Sequence, residues 1–328
     1  RRTIVCLNHL GSGAFEEISG EKVQSVSFIA INVYVKDYIQ KYFRLISEKR
    51  AEKKETLFLK NEDRSIKNLF VTKQDDFLRI TDNPLAYWIS QPIIKTFNNY
   101  NIGFYGYIGK GLDTCNQDRF ERKWYEVDFC DISNYNEHDP NKKWFFFSKG
   151  GGFRRWYGNL TDIVLWQNDG YELKNYRNSK GKIKSRPQNT NKYFKKCVTW
   201  SSVGTGFFGA RIIENSVFGN GSALFTEKSS HQYPLMALLN SKIAKKYLEF
   251  LSPTLTFNAG DLSKIPVVNE LLSSENINTI VIENILISKT DWDSFEISQN
   301  FKKNIFLVYE NMHLLSDAYD NFKKATKN

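Results

Sequence analysis

The chain has 328 residues, with 46 Lys and Arg against 36 Asp and Glu, 41% hydrophobic and 15% aromatic residues. Those fractions exclude general disorder, and the length suggests two domains. No apolar run approaches the roughly 20 residues of a membrane span, and the N-terminal RRTIVCLNHLGSG lacks the apolar core of a secretion signal. Cys6, Cys115, Cys130 and Cys197 are too sparse for a disulfide framework, so a reducing, cytoplasmic setting is expected.

In chain order, KVQSVSFIAINVYV (22–35) alternates and is rich in Val and Ile, which predicts a strand or a hairpin arm begun at Gly20. The charged run over 37–58 carries Tyr42, Leu45 and Ile46 at helical spacing and predicts a helix. Residues 84–98 read as a second helix with Pro84 near its first turn, and 101–108 as a strand ended by Gly109–Gly111. The middle is irregular, with short β-like runs at Asp162–Trp166, Lys196–Trp200 and Ser222–Phe225 and a turn at Asn168-Asp169-Gly170. PLMALLNSKIAKKYLEF (234–250) predicts one amphipathic helix stopped by Pro253, and 273–323 predicts two helices parted near Lys289–Asp293.

The charge is not evenly spread. Residues 141–200 hold fourteen Lys and Arg against only Asp162, Asp169 and Glu172, a local +11, whereas 270–328 is a local −3. Such a block suits a polyanion and equally a solvated lysine-rich loop.

Two strings imitate amino-methyltransferase motifs. GSGAF (11–15) is a glycine turn of the kind that holds S-adenosylmethionine, but a strand pattern follows it rather than a helix, so a loop is expected. NPLAYW (83–88) lacks the second proline of an Asn-Pro-Pro-aromatic signature and reads as a helix start. Cys6, His9, Cys130 and His138 lack the tight paired spacing of a structural metal site, so no metal is expected. No catalytic constellation can be read.

KGGGFRRWYGN (149–159) is different. Three glycines allow close backbone approach, Lys149, Arg154 and Arg155 supply charge, Trp156 and Tyr157 supply flat rings, and Asn159 can pair with adenine. Composition alone leaves open a nucleic-acid surface or a hairpin with core aromatics and solvated charges.

At these residues the chain resembles a known family. HLGSGAFEEISGEKVQSVSFIAIN (9–32), GLDTCNQDRFERKWYEVD (111–128), KWFFFSKGGGFRRWYGN (143–159), VLWQNDG (164–170), YFKKCVTWSSVGTGFFGAR (193–211), LSPTLTFNAGDLSKIPV (251–267) and DWDSFEIS (291–298) follow, in order, the C-terminal half of the adenine-specific DNA methyltransferases of BREX phage-resistance systems, the PglX family. TFNAGDLSKIPV (256–267) also resembles the end of target-recognition domains in restriction–modification specificity subunits.

The resemblance implies a mixed α+β fold: the end of an α/β methyltransferase domain (1–60), a helical connector (61–100), an irregular target-recognition domain (101–268) and a helical C-terminal region (269–328). It implies double-stranded DNA as partner and leaves open other subunits of a phage-defence complex; the lack of an apolar run of spanning length is what points to no membrane. Methyl transfer from S-adenosylmethionine to the adenine exocyclic amine would belong to the parent enzyme's N-terminal part, so no cofactor is expected on this chain. Expected DNA contacts are Lys149, Arg154, Arg155, Lys195 and Lys196 on phosphates, and Arg119, Arg122 and Asn159 at base edges. Trp156 and Tyr157 would either stack or brace the loop. The alternatives are a protein-interaction module of a defence complex and the recognition part of a combined restriction–methylation enzyme.

Overall fold

Thr3–Gly11 (β1) pairs antiparallel with Ser25–Ile31 (β2) and parallel with Ile39–Arg44 (β3). After the helix Ala51–Leu59 (α1), the strand Leu69–Lys73 (β4) closes the sheet in the order β2-β1-β3-β4. The computed structural model describes residues 2–15, 24–60, 68–203, 207–252, 256–304, 307 and 314–326. The hairpin start expected at Gly20 and the helix stop expected at Pro253 lie outside these. Contacts divide the chain into two units, Arg1–Asn98 and Asn99–Asn328.

In the first unit, β3 occupies much of the segment where a helix was expected. Its Gln40 and Tyr42 are buried while Ile39 and Lys41 are exposed, a period of two set by pairing on both sides with β1 and β4. The helix is confined to α1. Tyr42 lies at the centre, stacked on Tyr87 at 4.8 Å and 4°, with Leu7 and Phe77 around it. NPLAYW is thus an irregular segment that delivers Tyr87 to the core, and the helix begins later, at Gln91–Thr96 (α2), with Pro92 in its first turn. The connector segment therefore contributes a strand as well as a helix.

GSGAF ends β1 as a turn. Gly13 has φ +68°, and a Cβ there would lie 2.1 Å from the Lys49 carbonyl oxygen, so backbone crowding alone demands glycine. The nearby Lys54 ammonium is buried and donates to the carbonyls of Leu10 (2.7 Å), Leu45 (3.2 Å) and Glu48, tying α1 to the ends of β1 and β3.

His9 on β1 shares a 2.9 Å hydrogen bond with the Tyr87 hydroxyl, and burial, then the charges of Arg44 and Lys54, hold its pKa below the usual 6.5. The fold therefore favours neutral imidazole, and between the folded pKa and about 6.5 the unfolded chain binds more protons. This contribution to stability is complete above pH 6.5 and is lost as pH falls through the folded value. His138 and His231 are shifted the same way, mainly by burial. The urea midpoint is expected to drop on acidification from pH 7, and His9→Gln is expected to flatten that drop.

The second unit opens with the short helix Ile102–Tyr105 (α3), capped by Asn101, where a longer strand was expected. Gly106–Gly109 (β5), Leu112–Asp113 (β6), the turn of helix Gln117–Phe120 (α4) and Glu121–Lys123 (β7) follow. Trp144–Ser148 (β8) and Asp162–Leu165 (β9) lead to Gln167–Lys174 (α5), whose start is the left-handed turn Asn168-Asp169-Gly170. Then come Arg186–Pro187 (β10), Cys197–Trp200 (β11), Ala210–Ile213 (β12), Val217–Phe218 (β13) and Ala223–Thr226 (β14). They form sheets β12-β11-β14-β5 and β13-β8-β9-β7 and the pair β10-β6. All five residues of β8, WFFFS, are buried, as a strand covered on both faces must be.

The expected single helix at 234–250 is two, Gln232–Asn240 (α6) and Lys242–Leu251 (α7). Ser241 is extended and its hydroxyl accepts from the Ala244 amide, capping α7, while the Asn240 amide group is drawn into a two-way pairing with the Ala210 backbone. Ala259–Ser263 (α8) and Asn269–Leu272 (α9) lead to Glu275–Asp293 (α10), which packs on α6 and ends at Asp293, the far edge of the expected break, and then to Leu315–Thr326 (α11). The chain is mixed α+β with several small sheets. Among the described residues no helix is long and apolar enough to cross a membrane.

Candidate nucleic-acid interface

The glycine run of 149–159 leaves β8 and separates two recesses. Lys149 lines the first, and Gly151 and Gly152 line the second. The loop is not a free arm. The Trp156 amide donates to the Ala210 carbonyl at 2.8 Å, and the Ile212 amide donates to the Trp156 carbonyl at 3.0 Å, which fastens it along β12. Asn159, at φ +59°, donates through Nδ2 to the Gly152 carbonyl at 2.8 Å and closes the loop on itself.

The first recess is a cleft of about 490 Å³ with a polar lining that includes Thr114, Cys115, Asn116, Gln117, Glu121, Lys149 and Asn220. Glu121 is its charged centre: its carboxylate accepts from Lys149 Nζ at 2.7 Å and from the Thr114 hydroxyl at 2.5 Å. Asn116 caps α4 and donates to the Tyr176 hydroxyl at 2.9 Å. Amide, hydroxyl, ammonium and carboxylate groups in one cleft offer the donors and acceptors that base edges require.

A basic hairpin adjoins this cleft. Asn178, through backbone and side chain, binds the amides of Lys180, Gly181 and Lys182, and Arg177 bridges Ile183. The returning strand, β10, pairs with β6, which itself lines the cleft. Arg177, Lys180, Lys182, Lys184 and Arg186 are all exposed. No acidic residue occurs between Glu172 and Glu214, and among the described residues none of these five forms an ion pair. These charges belong to the +11 block but are not among the expected contacts; the acid-free run from 173 to 213 is the sequence signal that marks them.

The nominated residues fare differently. Lys149 lies at the cleft, paired with Glu121. Arg119 is exposed and bound to Glu172 at 2.6 Å, and Arg122 donates to the carbonyls of Asp118 and Glu121. Lys195 and Arg155 are exposed, the latter 5.4 Å from the Phe153 ring, while Lys196 donates to the Tyr233 hydroxyl at 2.8 Å. Arg154, expected on a phosphate, is instead turned inward: it pairs with Asp291 at 2.8 Å and lies 4.9 Å over the Trp292 ring. Of the two roles held open for Tyr157, its 5% exposure is that of a brace, and burial pushes its hydroxyl pKa up. Trp156, half-buried at φ +68°, is held by its backbone to β12, and Asn159 spends its amide on the loop. Among the described residues no three His, Cys, Asp or Glu side chains gather as metal ligands.

No family model matches the chain. The adenine-specific methyltransferase PglX of Lacticaseibacillus casei is 32% identical over 314 residues, covering 93% of this chain, and BrxX of Escherichia coli O9:H4, also an adenine-specific methyltransferase, is 33% identical over 329 residues, covering 98%. The chain spans about a quarter, 26%, of the length of each. The DNA complex of the type IIL restriction-modification enzyme MmeI aligns with 99% of this chain and 42% of its own at TM-score 0.39 and 11% identity, too distant to transfer a site. Over almost all of its length the chain is similar to about one quarter of the PglX and BrxX adenine-specific methyltransferases.

Proposed function

We propose that this chain recognises duplex DNA for a site-specific adenine methyltransferase of a phage-defence system. The observation that carries the reading is the acid-free basic hairpin hydrogen-bonded, through β10 and β6, to a polar cleft. Exposed cations without carboxylate partners hold phosphates and set register, and a cleft of mixed donors and acceptors discriminates bases. On this reading the rest of the enzyme flips an adenine and methylates its exocyclic amine with S-adenosylmethionine. Flipping costs a few kcal/mol, so a firm grip on the flanking duplex is required. No residue of this chain is assigned to the methyl donor.

The test is duplex binding across a salt series, with alkylation of Cys115 as a local reporter, since that exposed thiol lines the cleft. Affinity should fall steeply as salt rises, and bound duplex should slow Cys115 labelling while leaving exposed Cys130 unprotected. Salt-independent binding, or none at low salt, would overturn the reading; unchanged Cys115 labelling with DNA bound would remove the cleft from it.

A further inference from the structure

The second recess, about 110 Å³, is lined by Gly151, Gly152, Arg154, Ser201, Phe207 and Arg211 among others. Arg211, on β12, is 1% exposed. Its guanidinium donates to the Arg154 carbonyl and to the Ser201 hydroxyl oxygen, both at 3.2 Å, and its Nε is buried without an acceptor. Among the described residues, two of its five N–H groups are thus used. Ser201 cannot supply a charge, and its hydroxyl hydrogen goes to the Gly151 carbonyl at 2.9 Å.

Among the described residues no carboxylate pairs with Arg211. The charge acting on it is that of another guanidinium, Arg154, which is itself bound to Asp291. Burial first, and Arg154 second, pull the Arg211 pKa down to about 10, so the group still carries its charge at neutral pH. A buried cation with a like charge beside it and no counter-ion is costly to keep, unless an anion joins it. The recess it lines supplies the space.

The rim suggests what carries the anion. Phe153 and Phe207 are 52% and 61% exposed, their rings 5.6 Å apart, and Arg155 lies 5.4 Å from the Phe153 ring. Exposed rings around a cationic floor suit an anion with organic substituents better than a bare ion.

We propose that this recess is a phosphate-binding pocket for one backbone phosphodiester of the bound duplex, with Arg211 as the buried charge at its floor and Phe153 and Phe207 against the adjoining sugar or base. The occupant's identity as DNA rests on the function proposed above; the anion pocket itself does not.

The experiment uses the full chain in two arms. In the first, thermal unfolding is followed as sodium phosphate replaces sodium chloride at matched ionic strength. Wild type should melt higher in phosphate, because a ligand bound only to the folded state stabilises it. Arg211→Met should lose that response. Gly152→Glu is the second variant: an added Cβ there meets nothing within 4 Å, so the fold is kept while a carboxylate is placed at the pocket. It too should lose the response. In the second arm, both variants should bind duplex about 10-fold more weakly, with a salt slope shallower by about 0.9, the loss of one phosphate contact.

Equal melting of the wild type in phosphate and chloride would overturn the pocket. A phosphate response lost in the variants, with duplex affinity and slope unchanged, would overturn the phosphodiester as occupant and leave the DNA reading standing. A phosphate response in a wild type that binds no duplex would overturn the DNA reading and leave the pocket as a site for free phosphate or a small phosphate ester.

Discussion

Replacing Lys180, Lys182, Lys184 and Arg186 together by glutamine is expected to weaken duplex binding by about 100-fold or more near physiological salt, and to flatten the salt dependence by a slope of about 3 to 4. Each phosphate neutralised releases condensed counterions, so each contact contributes about 0.9 to the slope. All four side chains are exposed, and the hairpin is held by groups the substitutions leave in place: the Asn178 turn and the backbone pairing of Arg186 with Asp113. Exposed substitutions of this kind usually move stability by no more than about 0.5 kcal/mol each, so the variant should fold. The loss should be uniform across DNA sequences, because phosphate contacts position the protein and carry no base information. Lys323→Gln with Lys324→Gln, which removes charge from α11, is the control and should leave affinity unchanged. A quadruple variant with wild-type affinity and slope would remove the hairpin from the interface and with it the proposed function.

What the sequence could disclose follows from how local each signal is. The strands Asp162–Leu165, Cys197–Trp200 and Ala223–Thr226 were legible because β-branched and aromatic runs lie between turn formers. The left-handed turn at Asn168–Gly170 was legible for the same local reason. β3 was not, because its strand state comes from partners on both sides, and its own charged surroundings argue for helix. β1 carries Cys, Asn and His and buries only Thr3, Leu7 and Gly11, a spacing of four that shows no alternation.

The same limit governs the site. KGGGFRRWYGN stood out by composition, yet the use of Arg154 was set by Asp291, 137 residues away. Arg211 sits in an ordinary strand, ARII, and nothing local marks it as buried with no carboxylate partner among the described residues. The basic hairpin shows the converse: its charges were visible and counted, but the β10-β6 pairing that sets them beside a cleft is nonlocal. The resemblance by ordered blocks reached further than either, since it drew on the whole chain rather than on any one motif.

Trp292→Ala is expected to destabilise the second unit by about 3–5 kcal/mol, the usual range for emptying a buried aromatic site. Trp292 is 3% exposed near the end of α10, and three features converge on its ring. The Arg154 guanidinium lies 4.9 Å over it, Asp291 beside it holds that guanidinium in place, and Gly158, at φ +115°, leaves the room that a Cβ 3.0 Å from the indole would take. One turn earlier, Lys289 pairs with Asp293 and lies 5.3 Å from the ring of buried Tyr157. Two blocks singled out in the sequence, KGGGFRRWYGN and DWDSFEIS, therefore pack against each other, and α10 braces the loop that lines both recesses. Because Arg154 and Trp292 act through one contact, Arg154→Ala and Trp292→Ala should be non-additive in urea unfolding, the double variant being less destabilised than the sum of the singles. Trp292→Phe should recover part of the loss by keeping a ring under Arg154. Should Trp292→Ala cost less than about 1 kcal/mol, α10 would be an appendage, and the geometry of the glycine loop would have to be set by its β12 bridge alone.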